Sequence, residues 1–308
     1  MPEPQTVIIP EPGNFALFLL LRAAEPSRES GRILRTLARL PFFSDDLAAA
    51  AREASLRSGV GFGPDYWDLL SPRKRPAGLH PFKPLTAADH DAPATGGDIL
   101  IHLASRRHDL NFEIAARMRA DLGGAVEIIN EVHGFHYLDG RDLIGFIDGT
   151  ENPHGPEDRR RVALIGGEDP QFEGGSYIFT QRYVHDLTKW RTLDTHAQEL
   201  AVGRKKPDSE ELPRGIKPPS AHISRVVIEE QGKELQIVRH SFPYGNLSEA
   251  GLFFVAYTCD LRIPEQMLTR MVGASGDGEH DRLLDFTRAV SGANFFAPSI
   301  DLLRSMAG

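Results

Sequence analysis

Three residues stand in sequence surroundings that suit chemistry better than surface: Asp148, His222 and Arg239. Asp148 lies in Gly145-Phe146-Ile147-Asp148-Gly149-Thr150-Glu151-Asn152-Pro153, where two glycines bracket a carboxylate and let the backbone approach something flat or bulky. The same residues also describe an Asp-Gly turn. A phosphatase signature, Asp-x-Asp-Gly-Thr, does not fit, because Phe146 stands where the nucleophilic carboxylate would be. His222 opens Ala221-His222-Ile223-Ser224-Arg225-Val226-Val227-Ile228, a β-branched run that predicts a buried strand. An imidazole there is either a satisfied strand-edge residue or a metal ligand, and a ligand histidine wants a carboxylate on its other nitrogen. Asp281 and Asp285, four apart on a predicted helix from Asp281 to Val290, face the same way and either fits; we favour Asp285. Arg239 ends a strand pattern just before a turn, as a surface ion-pair residue or as a permanent cation that stabilises developing negative charge. His240 is an acid-base candidate too, but on a continuing strand it points away from Arg239.

The elements that position these residues follow from apolar periodicity. Strands are predicted at Phe15 to Leu21, Ile99 to Ala104, Val126 to Ile129, Tyr177 to Phe179, Ile223 to Ile228, Leu235 to Val238 and Leu252 to Tyr257. Helices are predicted at Arg28 to Leu40, Asn111 to Leu122, Val184 to Gly203, Pro264 to Val272 and Asp281 to Val290. Several strands follow one another directly, which argues for α+β with antiparallel sheets. Ile99-Leu-Ile-His-Leu-Ala, Asp109-Leu110 and a helix are echoed by Leu252-Phe-Phe-Val-Ala-Tyr, Asp260-Leu261 and a helix. A fainter echo pairs the strand and helix from Phe15 with those from Tyr177. If the repeat is real, each half is a β-α-β-β-α-β unit of ferredoxin-like kind. Asp139 to Asp158 is the expected junction, giving domains 1–140 and 141–308, the second including the Gly145 to Gly149 loop.

With 308 residues, 41% of them hydrophobic, the chain can bury a large core, and its net charge of −8 gives no reason to expect nucleic acid. Arg73-Lys74-Arg75, Arg159-Arg160-Arg161 and Arg204-Lys205-Lys206 lie beside Pro, Gly or Asp and are read as solvated loops or helix ends. Cys259 stands alone, so no internal disulfide forms and a reducing compartment is expected, with the thiol in the core. The run Phe15 to Leu21 is too short to span a bilayer, and neither export nor a membrane anchor is expected. His133 and His136, three apart on a predicted strand, face opposite ways and are not expected to share a metal. His80, His90, His102, His108, His154, His185, His196 and His280 show no ligand spacing. Tyr137, Tyr183, Tyr244, Tyr257 and Trp190 can relay electrons from bulky donors, though packing explains each as well.

Taken together, the order and surroundings of these motifs resemble the dye-decolourising (DyP-type) haem peroxidases, in particular their bacterial cytoplasmic branches. The resemblance rests on Gly145 to Pro153, Gly174-Gly-Ser-Tyr177, Gln181-Arg182, His185-Asp186, Trp190, Gln198-Glu199, Gly203-Arg204, Ala221 to Arg225, Arg239-His-Ser-Phe-Pro-Tyr-Gly245, Asp281 to Phe286 and Asn294 to Pro298. It implies duplicated ferredoxin-like domains of the dimeric α+β barrel superfamily, with one haem b per chain in the second. It also implies His222 as the axial iron ligand, Asp148 and Arg239 as distal catalytic residues, and Ile147, Gly149, Asn152, Arg239 and Phe254 around the cofactor. The implied reaction reduces hydrogen peroxide through an oxoferryl intermediate and oxidises dyes, phenols or other organic donors in a cytoplasmic homo-oligomer. Asp148, Arg239 or a water can carry the proton. Some relatives have asparagine where this chain has Ser241, so that amide's role does not transfer. A haem-handling protein for binding, storage or iron release would use the same ligand, but has no need of an acid-base residue beside a cation. The ending Ser305-Met306-Ala307-Gly308 resembles no docking peptide, so packaging in a nanocompartment is not expected.

Overall fold

The computed structural model describes residues 1–40, 52–72, 74–87 and 89–308; Arg73 of the first basic cluster lies outside them. The first half runs β1 (Phe15–Ala23), α1 (Pro26–Ala38), β2 (Arg57–Phe62), α2 (Pro64–Leu70), β3 (Ile99–Ser105), α3 (His108–Leu122) and β4 (Val126–Phe135). The second opens with α4 (Gly155–Ala163), β5 (Ser176–His185) and the short helices α5 (Leu187–Trp190), α6 (Thr195–Val202) and α7 (His222–Val226). It continues with β6 (Val238–Arg239), β7 (Phe242–Gly245), β8 (Ala250–Thr258), α8 (Arg262–Val272), β9 (Thr287–Ala289), β10 (Ala293–Ala297) and α9 (Ile300–Ala307).

Among the described residues these strands form one ten-stranded sheet whose pairings are all antiparallel. The first half has strand order β4-β1-β3-β2, and the second has the matching order β10-β5-β8-β7. Each half is thus the ferredoxin-like unit expected from the echo. The halves join at two narrow seams, Gly134 against Tyr244 and Phe62 against Phe296, which close the sheet into a barrel. Glycine is needed at the first seam, since a Cβ on Gly134 would come within 2.4 Å of Phe242 Cβ.

Alternation along each strand divides the core in two. Inward residues such as Ala16, Phe18, Leu100, Phe253, Val255 and Phe295 fill the barrel, with Phe18 stacked on Phe253 at 4.2 Å between centroids. Outward residues of the first half, Leu17, Leu19, Leu21, Ile101 and Leu103, pack beneath Ile33, Leu34 and Leu37 of α1 and Ile114 and Met118 of α3. These helix residues recur at three- and four-residue steps, so one stripe of each helix is buried.

Several expected elements are corrected. The predicted helix Val184 to Gly203 is broken because β5 runs on to His185 and two aspartates start fresh helices: Asp186 accepts from Lys189 N and Asp194 from Ala197 N. The strand at Leu235 to Val238 pairs only from Val238, and the strand from Val126 extends to Phe135. Arg159 is not solvated: it is buried, donating to Ile9 O and Pro153 O and paired with Glu11.

Candidate active site

The strand expected after His222 is instead α7. β-branched residues disfavour a helix only weakly, and here tertiary partners override them. Arg270 of α8 donates to Ser224 O and Val227 O, two carbonyls that a helix this short leaves free. Arg225 returns the contact: buried, it donates to Arg270 O and pairs with Asp277. This reciprocal pair locks α7 to α8 and fixes where His222 projects.

His222 Nδ1 lies 2.6 Å from Asp281 Oδ2, so Asp281 and not Asp285 is its partner. The predicted helix from Asp281 is absent because Asp281 Oδ1 caps a single turn by accepting from Leu283 N, after which the chain enters β9 and pairs with β5. A fully buried carboxylate must be partnered, and both its oxygens are. Asp285, turned elsewhere, meets His280 and Arg282. No described residue hydrogen-bonds His222 Nε2, which stays available as a ligand.

The Asp148 loop is pinned by main-chain bonds from Asp142 N to Phe146 O, Gly145 N to Asp142 O and Asp148 N to Gly140 O. Gly145 at φ +91° and Gly149 at φ +81° supply left-handed turns that side chains resist. Ile144 and Phe146 anchor the loop in a cluster with Trp190 and Phe286, and Trp190 Nε1 donates to Ile144 O at 2.8 Å. Arg239 Nη1 then lies 3.2 Å from Asp148 Oδ1. Asn152 sets the main chain of Arg239: its Nδ2 donates to Arg239 O and its Oδ1 accepts from Arg239 N, both at 2.8 Å. His240 turns the other way, buried in the barrel with Nε2 2.9 Å from Ile8 O. Ser241 Oγ accepts from Val255 N, so it serves the backbone.

One cavity, partly open to solvent, is lined by His222, Asp148, Arg239, Ile147 and Phe254 together. Gly149 and Asn152 do not line it; their work is to shape the loop and hold Arg239. Tyr183, a candidate electron relay, also faces it, as do Gln181, His185, Asp142 and Arg204, which carry no mark of chemistry in the sequence. His185 Nε2 pairs with Asp142 at 3.1 Å while its Nδ1 meets Thr287 Oγ1. Burial pushes the Tyr183 phenol up and the Arg204 guanidinium down. Arg204, expected in a solvated loop, is instead a cavity cation paired with Glu151. Phe179, Gln181, Tyr183 and His185 alternate along β5 and so share a face, a pattern a longer strand assignment would have exposed.

The family models for the N-terminal and C-terminal parts of the Dyp-type peroxidases match residues 5–136 and 139–302. The chain belongs to the DyP-type peroxidase family. It is 39% identical over 98% of its length to a dye-decolorizing peroxidase of Rhodococcus erythropolis, of which it covers 88%. It is 46% identical over 79% of its length to that of Mycolicibacterium paratuberculosis, covering 70%. DyPB of Rhodococcus jostii superposes with a TM-score of 0.93 at 39% identity, over 98% of this chain and 97% of that one. A variant of that Rhodococcus protein has been solved in complex with heme. Its family makes this chain a peroxidase, an oxidoreductase with peroxide as acceptor. No helix among the described residues is long and apolar enough to cross a membrane.

Proposed function

We propose that this DyP-type peroxidase binds haem b through His222, reduces hydrogen peroxide, and oxidises dyes, phenols or other organic donors. One observation carries the proposal: a single cavity is lined by a histidine backed by a buried carboxylate and by an ion-paired aspartate and arginine. The residues present fit the cofactor. Imidazole Nε2 is free to ligate, Leu252, Phe254, Ile223 and Ile237 give apolar walls, and Gln181 Nε2 on the cavity lining is buried without a partner. When bound, haem supplies a redox-active iron that draws oxidising equivalents from peroxide and passes them to the donor.

The chain's own residues divide the remaining work. Asp281 accepts a hydrogen bond from His222 Nδ1–H, which fixes the tautomer with Nε2 unprotonated and strengthens it as an electron-pair donor. Asp148 takes the proton from one peroxide oxygen and returns it to the other, which leaves as water. Arg239, a permanent cation, stabilises the negative charge on that leaving oxygen and holds Asp148 in place through the ion pair. Asn152 positions Arg239 through its main chain. By family likeness we further propose a cytoplasmic homo-oligomer, which light scattering and cell fractionation test.

The deciding experiment compares absorption spectra of wild type and His222→Ala, expressed with adequate haem, before and after one equivalent of peroxide. Loss or gross change of the Soret band in the variant, with rapid peroxide-driven change in wild type, supports the reading. Haem bound but inert to peroxide would leave a haem-handling protein, and no haem at all would remove both.

A further inference from the structure

Away from the cavity, three side chains from distant parts of the chain converge: His90, His280 and Asp285. Their ligand atoms all lie within 4.8 Å of one another. His280 Nε2 is 3.1 Å and His90 Nε2 3.5 Å from the same carboxylate oxygen, Asp285 Oδ1. The two imidazoles lie ring against ring, with centroids 4.5 Å apart. Arg282 Nη1 holds the other oxygen, Oδ2, at 2.5 Å, so the carboxylate cannot rotate away. The His90 and Asp285 side chains are largely covered, at 15% and 19% exposure, while His280 at 39% leaves a way in from solvent.

As a plain hydrogen-bonded cluster this arrangement is wasteful: two imidazoles crowd one carboxylate oxygen. As a coordination shell it is well dimensioned. Metal bonds of about 2.0–2.2 Å in tetrahedral geometry place neighbouring ligand atoms roughly 3.3 Å apart, and the two separations above fall on either side of that value. The donor set, two imidazoles and one carboxylate, suits first-row transition cations better than calcium or magnesium, which prefer oxygen.

We propose that His90, His280 and Asp285 form a binding site for one divalent first-row transition cation of the zinc type, with a coordination position left open on the solvent side. The site would tie the two halves together at a consequential place. His90 begins the second strand of a small hairpin, Leu85–Ala87 with His90–Ala92, that belongs to the first half and packs against β9 and α8. His280 and Asp285 flank Asp281, the residue that orients His222. An ion there would clamp both ends of the turn carrying Asp281. The proposal does not depend on haem, since none of the three residues touches the cofactor's expected ligand.

The test uses the full-length untagged protein, stripped with chelator and dialysed against graded free Zn2+, with bound zinc counted by atomic emission. Wild type should take up one zinc per chain and gain thermal stability. His90→Gln and His280→Gln should each lose at least the roughly 10- to 100-fold in affinity that removal of even an outer-shell partner costs. His133→Gln, on a separate exposed histidine pair with His108, should bind as wild type. Circular dichroism identifies correctly folded variants, and alanine replaces glutamine at any position where glutamine fails to fold. Absence of stoichiometric zinc in wild type overturns the site, as does wild-type affinity in either the His90 or the His280 variant.

Discussion

In the first half, the outer face of the sheet is sealed: Leu17, Leu19 and Leu21 of β1 and Ile101 and Leu103 of β3 lie under α1 and α3. In the second, the topologically equivalent strands β5 and β8 present Phe179, Gln181, Tyr183 and Phe254 to a cavity. Strand order is the same in both, so the difference lies in what crosses over the sheet. Where the first half lays the long amphipathic helix α1 between its first strand and its second, the second half sends residues 186–237, which among the described residues hold three short helices. These stand off the sheet, and α7 delivers His222 into the space they leave. One half of the duplication therefore supplies a sealed core, and the other supplies a site.

The comparison can be broken by moving chemistry and stability separately. Arg239→Leu should slow peroxide turnover about 10²- to 10³-fold, with haem content and melting temperature nearly unchanged; stopped-flow absorbance measures the first, and an unaltered rate would remove Arg239 from the reaction. Leu37→Ala, on the sealed face and fully buried, should cost roughly 2–5 kcal/mol in denaturant unfolding while leaving peroxide kinetics alone. Leu252→Ala, on the open face and half-buried, should cost less in the haem-free protein.

The barrel interior between the halves gives a pH signature. Burial pushes His240 down to about 4, with Arg159 and Arg57 adding to the effect, and pushes His102 well below an ordinary imidazole. The unfolded chain protonates these groups first, so stability present above about pH 6.5 should be lost as pH falls toward 4, by roughly 3 kcal/mol for His240. Thermal melts across that window should show the fall, and His240→Leu should reduce its slope. Asp281→Asn should weaken haem retention or activity about 10- to 100-fold, whereas Asp285→Asn should do neither to that extent. Smallest of all, Ser241→Ala, between β6 and β7, removes one acceptor for Val255 N and should shift unfolding by about 1 kcal/mol or less.

Much of this was legible in sequence where a pattern is local. The echo of Ile99 to Met118 in Leu252 to Met271 foretold the repeated unit, and glycines around Asp148 foretold a tight loop. What escaped depended on partners distant in sequence. His222 looked like strand because Ile223, Val226 and Val227 favour strand, and only Arg270, far along the chain, makes those residues helical. Asp281 and Asp285 looked interchangeable on a helix, but a capping bond to Leu283 N ends the periodicity on which that equivalence relied. Asn152 appeared to belong to the cofactor, and its bidentate hold on Arg239 needs β6 to be in place. His90 and His280, with no spacing to mark them, meet only once the halves are joined.

The narrow seams carry a consequence for synthesis. The first half can complete its own four strands early, and Gln5, Thr6 and Val7 already cover Ser58 and Val60 on the edge of β2, but the other edge strand, β4, meets its partner strand only at Tyr244. Until the ribosome has released most of the second half, that nascent sheet carries β4 as an unpaired edge and leaves the apolar Phe62 at the end of β2 without its strand partner. Such edges invite pairing between neighbouring chains on a polysome. Expression yield should therefore respond to crowding of nascent chains and to chaperone supply more sharply than the stability of the finished barrel would suggest.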